Sequence, residues 1–333
     1  MAITVEPFSR IGAKNSRHRQ IGPDDLPMAN GRVYHLDLAP EELARNVLVV
    51  GDPDRVPLLA DEFLLGREVD RCHRGFRSIT GVSREGGMPV SIVSTGIGAP
   101  STEIVLNELA ALNEIDFSTM TRKESFEPLS VIRVGTSGGL NPETRVGTLA
   151  LTDYVIGLDN TGLFYDVPPA DTVCPALEQL AGNALQRAAD QGARFRGTVV
   201  PYAARADRRL LAALQQEAAR RSIPHVRGIT VSSAGFFAEQ GRGVARVGST
   251  YPRLLDEVAA LDCSPWGMKV ENMEMEAGIV LHFLAGMAYR AAAICVVVNT
   301  RRRGTFLTDY RSHIIDAAAV ALGALRCGAP EQT

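Results

Sequence analysis

The sequence predicts an α/β protein, a single domain with a mainly parallel or mixed sheet flanked by helices. Two observations carry that expectation. Short runs rich in Val and Ile alternate with amphipathic stretches along most of the chain. No Pro-, Gly- or Ser-rich linker, internal repeat or low-complexity run divides the 333 residues, a length that one α/β domain can fill.

The elements follow in order. Residues 1–30 mix Arg, Lys, Pro, Asn and Asp without periodicity and read as a flexible N-terminal arm, which leaves 31–328 as the folded domain. Asn46 to Val50 is a strand stopped by Gly51-Asp52-Pro53, and Asp54 to Phe63 is a helix. Pro89 to Ser94 is a strand, followed by a turn at Gly96 and Gly98. Pro100 then starts a helix with Ile104, Leu106, Leu109 and Leu112 at roughly helical spacing. Val131 to Val134 is a buried strand carrying one charge, Arg133, and Thr148 to Ile156 is another strand. Pro175 to Asp190 and Asp207 to Arg221 are amphipathic helices on either side of the strand Thr198 to Ala203. Gly228 to Ser233 is a strand that leads into a loop. Asn272 to Ala288 reads as a helix, Ala292 to Asn299 as a strand and Thr308 to Arg326 as a closing helix. Segments 115–129 and 157–174 read as surface insertions. The stretch from Ala277 to Val298 is long and apolar enough to suggest a membrane span. His282, Arg290 and the change of character at Tyr289 predict a helix followed by a buried strand instead.

A formal net charge of -3, from 35 basic and 38 acidic residues, provides no broad field toward nucleic acid or an anionic membrane. The cysteines Cys72, Cys174, Cys263, Cys295 and Cys327 are scattered and form no CxxC pair. That argues against a zinc site or a disulfide framework and suits a reducing compartment. No apolar signal core follows Met1, so the cytoplasm is the expected location.

Ligands of α/β sheets collect at the carboxyl ends of strands. Gly51 and Arg55 follow the first strand, where glycine lets backbone approach an anion and the helix start offers N–H groups. Arg133 within a buried strand is expensive unless it meets an anion, either a ligand or an internal carboxylate. Thr136 adds a hydroxyl among the glycines of Gly135-Thr-Ser-Gly-Gly139. Neither glycine run is a dinucleotide fingerprint or a P-loop. Glu271-Asn-Met-Glu-Met-Glu276 opens an apolar helix, either as capping acids or as acceptors for vicinal hydroxyls. In the loop Phe236-Phe-Ala-Glu-Gln-Gly-Arg242, Gln240 offers an acceptor and a donor to a planar ring edge. Arg242 offers paired donors to a carbonyl, and Phe236 a ring face.

These pieces in this order resemble the single-domain nucleoside phosphorylases, and among them the uridine phosphorylases. The motifs are Gly51-Asp-Pro-Asp-Arg55, His73-Arg74, Thr95-Gly-Ile-Gly-Ala-Pro-Ser101, Arg133-Val-Gly-Thr136-Ser-Gly-Gly139 and Glu274-Met-Glu276. The likeness runs from about Tyr34 to Leu325. It implies a mixed, partly barrel-like sheet and the reversible phosphorolysis of uridine to uracil and ribose 1-phosphate. It further implies phosphate binding by Gly51, Arg55, Arg133 and Thr136, with Arg74 reaching a neighbouring subunit. Glu276 would hold the ribose hydroxyls, with Met275 against the sugar, Glu274 alongside and His35 on the 5′ hydroxyl of a partner. Phe236, Gln240 and Arg242 would read the base. Arg133, Glu276 and Arg242 would be catalytic, in a homo-oligomer built from dimers. Phosphate is a co-substrate, and the likeness calls for no cofactor and no catalytic metal.

Three features set the chain apart from parts of that family. Bacterial uridine phosphorylases carry a potassium-binding acid after the His-Arg pair, where this chain has Gly75. Purine-specific relatives carry a Ser-Asp pair after the late strand, where this chain has Val298-Asn299-Thr300. Asn299-Thr300-Arg301 does not align cleanly with the Asn-Arg of the family. The alternatives are a purine or other nucleoside phosphorylase, a nucleosidase (a class that lacks the phosphate arginines), and a nucleoside-binding or regulatory protein on the same scaffold.

Overall fold

Asn46-Val-Leu-Val-Val50 forms strand β1, in which the last four residues are buried. In the computed structural model of the chain, described over residues 20–300 and 304–327 with the backbone of Ile3–Thr4, these residues fall into two compact units. The first comprises residues up to Gly96 together with Ile104–Val131. The second comprises Ile97–Glu103 and the chain from Ile132 onward. Most of the N-terminal arm, and Arg301, lie outside the described residues.

In the first unit β1 leads into helix α1 (Arg55–Phe63), which buries Val56, Leu59 and Ala60, one apolar stripe at i, i+3 and i+4. Strands β2 (Val69–His73), β3 (Phe76–Val82) and β4 (Pro89–Ser94) complete a mixed sheet in the order β1-β4-β3-β2. β1 and β4 are parallel; the other neighbours are antiparallel. The β2–β3 hairpin is absent from the sequence reading because Val69-Asp-Arg-Cys-His73 is polar and half-exposed, as suits an edge strand. Its turn places Arg74 at φ 51° and Gly75 at φ 83°, the paired left-handed geometry of a two-residue hairpin loop. Glycine at position 75 is therefore what the turn requires.

Helix α2 (Ala99–Glu114) gives its first turn to the second unit and the remainder to the first. The second unit is built on β5 (Ser130–Gly139), β6 (Leu149–Gly157), α3 (Val173–Ala188), β7 (Tyr202–Arg205), α4 (Arg208–Arg220), β8 (His225–Ser232), α5 (Leu254–Ala259), β9 (Val270–Glu274), α6 (Ala277–Gly286), β10 (Arg290–Thr300), β11 (Thr305–Phe306) and α7 (Arg311–Cys327). Its sheet runs β10-β6-β8-β9-β5, and a further β10–β5 pairing closes it into a five-stranded barrel. Pairing is parallel for β6–β8 and β8–β9 and antiparallel for β9–β5 and β6–β10. The expected mixed, partly barrel-like sheet with helices is thus present.

Local chemistry explains the boundaries. α4 starts after Asp207, whose carboxylate accepts from the N–H groups of Arg209 and Leu210, both at 2.9 Å. The strand expected over Thr198–Ala203 begins only at Tyr202, because Pro201 has no N–H to pair. The last helix starts at Arg311, whose N–H donates to the Asp309 carboxylate at 3.2 Å. Of the two expected insertions, 115–129 carries two-residue strands. Segment 157–174 is only partly superficial, since Leu158, Asp159 and Gly162 are buried.

Two readings around the site are corrected. The strand expected over Val131 to Val134 does not stop there but continues as β5 through Gly139, with Gly138 opposite Met273 and Gly139 opposite Asn272. Asn272 to Glu274 does not open a helix. Val270-Glu-Asn-Met-Glu274 is a fully buried strand, paired with β8 on one side and β5 on the other. A central strand buried on both faces lacks the alternation that marks a strand in sequence. The stretch beyond it behaves as expected, with helix α6 followed by buried strand β10.

Candidate active site

Arg133 projects from β5 and is 5% exposed. A buried guanidinium is costly unless its charge and N–H groups are met. Nη2 pairs with Oε2 of Glu276 and lies 3.0 Å from Oε2 of Glu274. Nη1 contacts Sγ of Cys295 at 3.4 Å. The guanidinium folds over Gly135, where a Cβ would stand 1.7 Å from Nη1. Burial opposes the Arg133 charge, but Glu274 and Glu276 outweigh it and hold the group protonated well above its ordinary range.

The two carboxylates are fixed from different directions. Glu274, the last residue of β9, accepts from the N–H of Glu276 at 2.9 Å. It also accepts from the N–H of Ala277 at 3.0 and 2.9 Å, and so caps the start of α6. Burial pushes its carboxyl above the usual carboxylate range; Arg133 pulls against that shift and Glu276 adds to it. Glu276 accepts from the N–H of Gly98 at 2.6 Å. The capping reading of this acidic stretch therefore holds for Glu274, while Glu276 belongs to Arg133 and Gly98. Met275 is half-buried between the two, and Thr136 is half-buried on β5.

The loop after β8 brings together the three residues expected to read a ring. Gln240 is buried, and its Nε2 donates to Oγ of Ser233 at 3.0 Å. The single Ser233 hydroxyl proton has two acceptors in reach, the Gly235 and Glu274 carbonyls at 3.0 and 3.2 Å. Arg242 Nη1 donates to Gln240 Oε1 at 2.7 Å and to the Phe236 carbonyl at 2.6 Å. Its guanidinium carbon lies 3.6 Å from the centroid of the Phe236 ring. One face of Phe236 is thus occupied by Arg242, a cation–π contact that the sequence reading did not contain.

Four further expected residues lie in the first unit. Gly51 sits where a Cβ would come 3.4 Å from the Gly96 carbonyl, a close backbone approach. Arg55 Nε is 3.9 Å from Asp52 Oδ2. Arg74 stacks on Tyr34, 5.1 Å from the ring centroid, and donates to its hydroxyl at 3.3 Å. His35 Nδ1 lies 2.7 Å from Oε1 of Glu108.

Ser233, Cys295 and Glu108 escaped the sequence reading. A serine after a strand, a cysteine within an apolar strand and a glutamate on an amphipathic helix are all commonplace. Only their three-dimensional partners single them out. Among the described residues, no group of three or more His, Cys, Asp and Glu side chains is placed to hold a metal ion, and no helix is long and apolar enough to cross a membrane.

Residues 45–326 match the sequence family described as the phosphorylase superfamily. The chain is 30% identical over 279 residues to a uridine phosphorylase of Thermococcus kodakarensis, covering 83% of this chain and 80% of that protein. It is 29% identical over 278 residues to the uridine phosphorylase of Escherichia coli, covering 82% and 88%. A crystal structure of a Trypanosoma brucei nucleoside phosphorylase, described as showing uridine phosphorylase activity, superposes with a TM-score of 0.82 at 27% identity. That superposition covers 91% of this chain and 99% of the other.

Proposed function

Because the chain belongs to the phosphorylase superfamily, we propose that it is a pentosyltransferase that cleaves uridine with phosphate, giving uracil and ribose 1-phosphate. The observation that carries the choice of base is the Gln240–Arg242 pair. It presents an amide and a guanidinium side by side, held in place through Ser233. Such an edge suits a ring with two carbonyls and an N–H between them. On the motif resemblance, phosphate falls to Gly51, Arg55, Arg74, Arg133 and Thr136, and the sugar to His35, Glu274, Met275 and Glu276. The base falls to Phe236, Gln240 and Arg242, with 31–328 as the catalytic domain.

Chemistry on this reading is positioning and electrostatics. The glycosidic bond breaks as C1′ gains oxocarbenium character, and phosphate oxygen bonds to C1′ from the opposite face. Arg133 stabilises the anionic nucleophile, and Glu276 orients the ribose hydroxyls. Arg242 meets the negative charge that grows on uracil as it leaves. His35 and Arg74 complete a neighbouring subunit's site in an oligomer built from two-fold dimers.

The test is product formation from uridine, thymidine and inosine with and without phosphate. Uridine cleavage that requires phosphate or arsenate is expected. Equal rates in phosphate-free buffer would indicate a hydrolase, and equal kcat/KM for inosine and uridine would indicate a purine-accepting relative. Mixing a His35/Arg74 double variant with a Glu276 variant, each inactive, should restore activity after subunit exchange; an active monomer would refute the shared site.

A further inference from the structure

Glu108 lies on the buried side of α2, between Leu106 and Leu109, and is 4% exposed. A carboxylate placed there must be fully hydrogen-bonded to offset its desolvation. Its partners all belong to one short loop. Oε1 accepts from the backbone N–H of His35 at 2.8 Å and lies 2.7 Å from the ring Nδ1. Oε2 accepts from the backbone N–H of Leu36 at 2.8 Å.

The loop itself is built to present this residue. Arg32 pairs with Glu42 and donates to the Asp37 carbonyl at 3.0 Å. The Val33 N–H donates to the Leu38 carbonyl at 3.0 Å, and Asp37 takes φ 54° to close the turn. Leu36 and Leu38 are buried, whereas the His35 side chain keeps 24% of its surface. Tyr34 and Phe76 meet the imidazole edge-on, at 5.2 and 6.3 Å between ring centroids.

The donor inventory fixes the proton. Both Glu108 oxygens already accept backbone N–H groups, so the carboxylate acts as an acceptor and Nδ1 must be the donor. In the neutral ring Nε2 is then bare, an acceptor. We propose that Glu108 is a positioning residue that locks His35 in the Nδ1–H tautomer, so that Nε2 selects a sugar bearing a hydroxyl donor at its 5′ position. This rests on the nucleoside reading of His35 given above. Glu108 touches no substrate atom; it acts through the ring it holds, as the outer partner of a metal-binding histidine does.

The experiment has two readouts. In nitrogen-15 NMR of the full-length protein, with His35→Ala to assign the signal, wild-type His35 is expected to carry its proton on Nδ1. Glu108→Gln should yield a tautomer mixture, since the amide has a single acceptor oxygen for three N–H groups. In kinetics, wild type should prefer uridine over 5′-deoxyuridine by about tenfold in kcat/KM, the worth of one hydrogen bond. His35→Ala should reduce that ratio to about one, Glu108→Gln should reduce it part of the way in step with its tautomer mixture, and the double variant should match His35→Ala. A merely structural role for Glu108 would lower both substrates equally and leave the ratio intact, which overturns the proposal. An Nε2–H tautomer in the wild type, or an unchanged ratio in His35→Ala, overturns it too, even if Glu108→Gln fails to fold. Failure of the wild type to cleave uridine at all would instead refute the function, and the NMR measurement would still decide the tautomer.

Discussion

The N–H of Gly98 donates to the carboxylate of Glu276 at 2.6 Å, across 178 residues of sequence. Gly98 can do so because it takes φ 90°, a conformation that L side chains rarely adopt. A Cβ there would meet nothing nearer than 3.9 Å, so the constraint is conformational rather than steric. Gly98→Ala is expected to cost about 1–2 kcal/mol of stability through backbone strain. It should also raise KM for the nucleoside more than KM for phosphate, because Glu276 loses its anchor. Denaturant titration and two-substrate kinetics check this; equal effects on both KM values would count against it.

Gly135 tests the placement of Arg133 without removing the arginine. A methyl group there would occupy the position of the guanidinium, 1.7 Å from Nη1. Gly135→Ala should displace Arg133 from Glu276 and Glu274 and lower kcat/KM for phosphate by about 10²-fold, a size set by loss of a preorganised charge. Arg133→Lys should not retain wild-type activity, since an ammonium cannot reproduce a planar guanidinium that meets both carboxylates through Nη2 while Nη1 reaches Cys295. Full activity in Gly135→Ala would show that the observed position of Arg133 is not the working one.

Arg242 is the residue for base choice. Its contacts to Gln240 Oε1 and the Phe236 carbonyl fix the position of its guanidinium. Arg242→Ala should lower kcat as well as affinity, because the charge it meets grows in the transition state. Gln240→Leu should narrow the uridine-to-inosine ratio, since a site that hydrogen-bonds one ring edge leaves buried groups unpaired with the wrong base. Steady-state kinetics on both nucleosides reads the outcome, and an unchanged ratio would remove Gln240 from base recognition.

What the sequence revealed depended on how local the signal was. β1 and β4 were legible to the residue because apolar runs ended at Gly51 and at the Thr95-Gly96 turn. The order of motifs pointed to Arg133, Glu274 and Glu276 before their contacts were visible. The extension of β5 through Gly135–Gly139 was not legible, because glycine-rich segments ordinarily read as turns and pairing with β9 and β10 is what makes this one a strand. β9 itself was hidden by its acids, which a helix start would equally favour. Those acids are tolerated in a buried strand because Arg133 and the N–H groups of Glu276 and Ala277 meet Glu274, while Thr144 and Asn141 meet Glu271. That is tertiary information, and no window of sequence contains it.

His282 allows a test of the fold by pH. It lies on α6, is 7% exposed, and its Nε2 is 3.2 Å from the Tyr165 carbonyl. The Tyr202 ring packs on it at 4.8 Å between centroids. Burial lowers its proton affinity below the ordinary value of 6.5, although the Tyr165 carbonyl and the charge of Asp159 act in the opposite direction. The folded state therefore refuses a proton that the unfolded chain accepts once pH falls below 6.5. Stability supported by neutral His282 is full above that pH and declines below it, by at most about 1.4 kcal/mol per pH unit, until the folded-state value is reached. His282→Gln removes the titration while keeping a donor for Tyr165. Unfolding free energies measured at about pH 7.5 and about pH 5.5, on either side of the ordinary histidine value, should show the wild-type advantage over the variant shrinking at the lower pH. An advantage that holds constant or widens would mean that His282 is already charged in the folded protein.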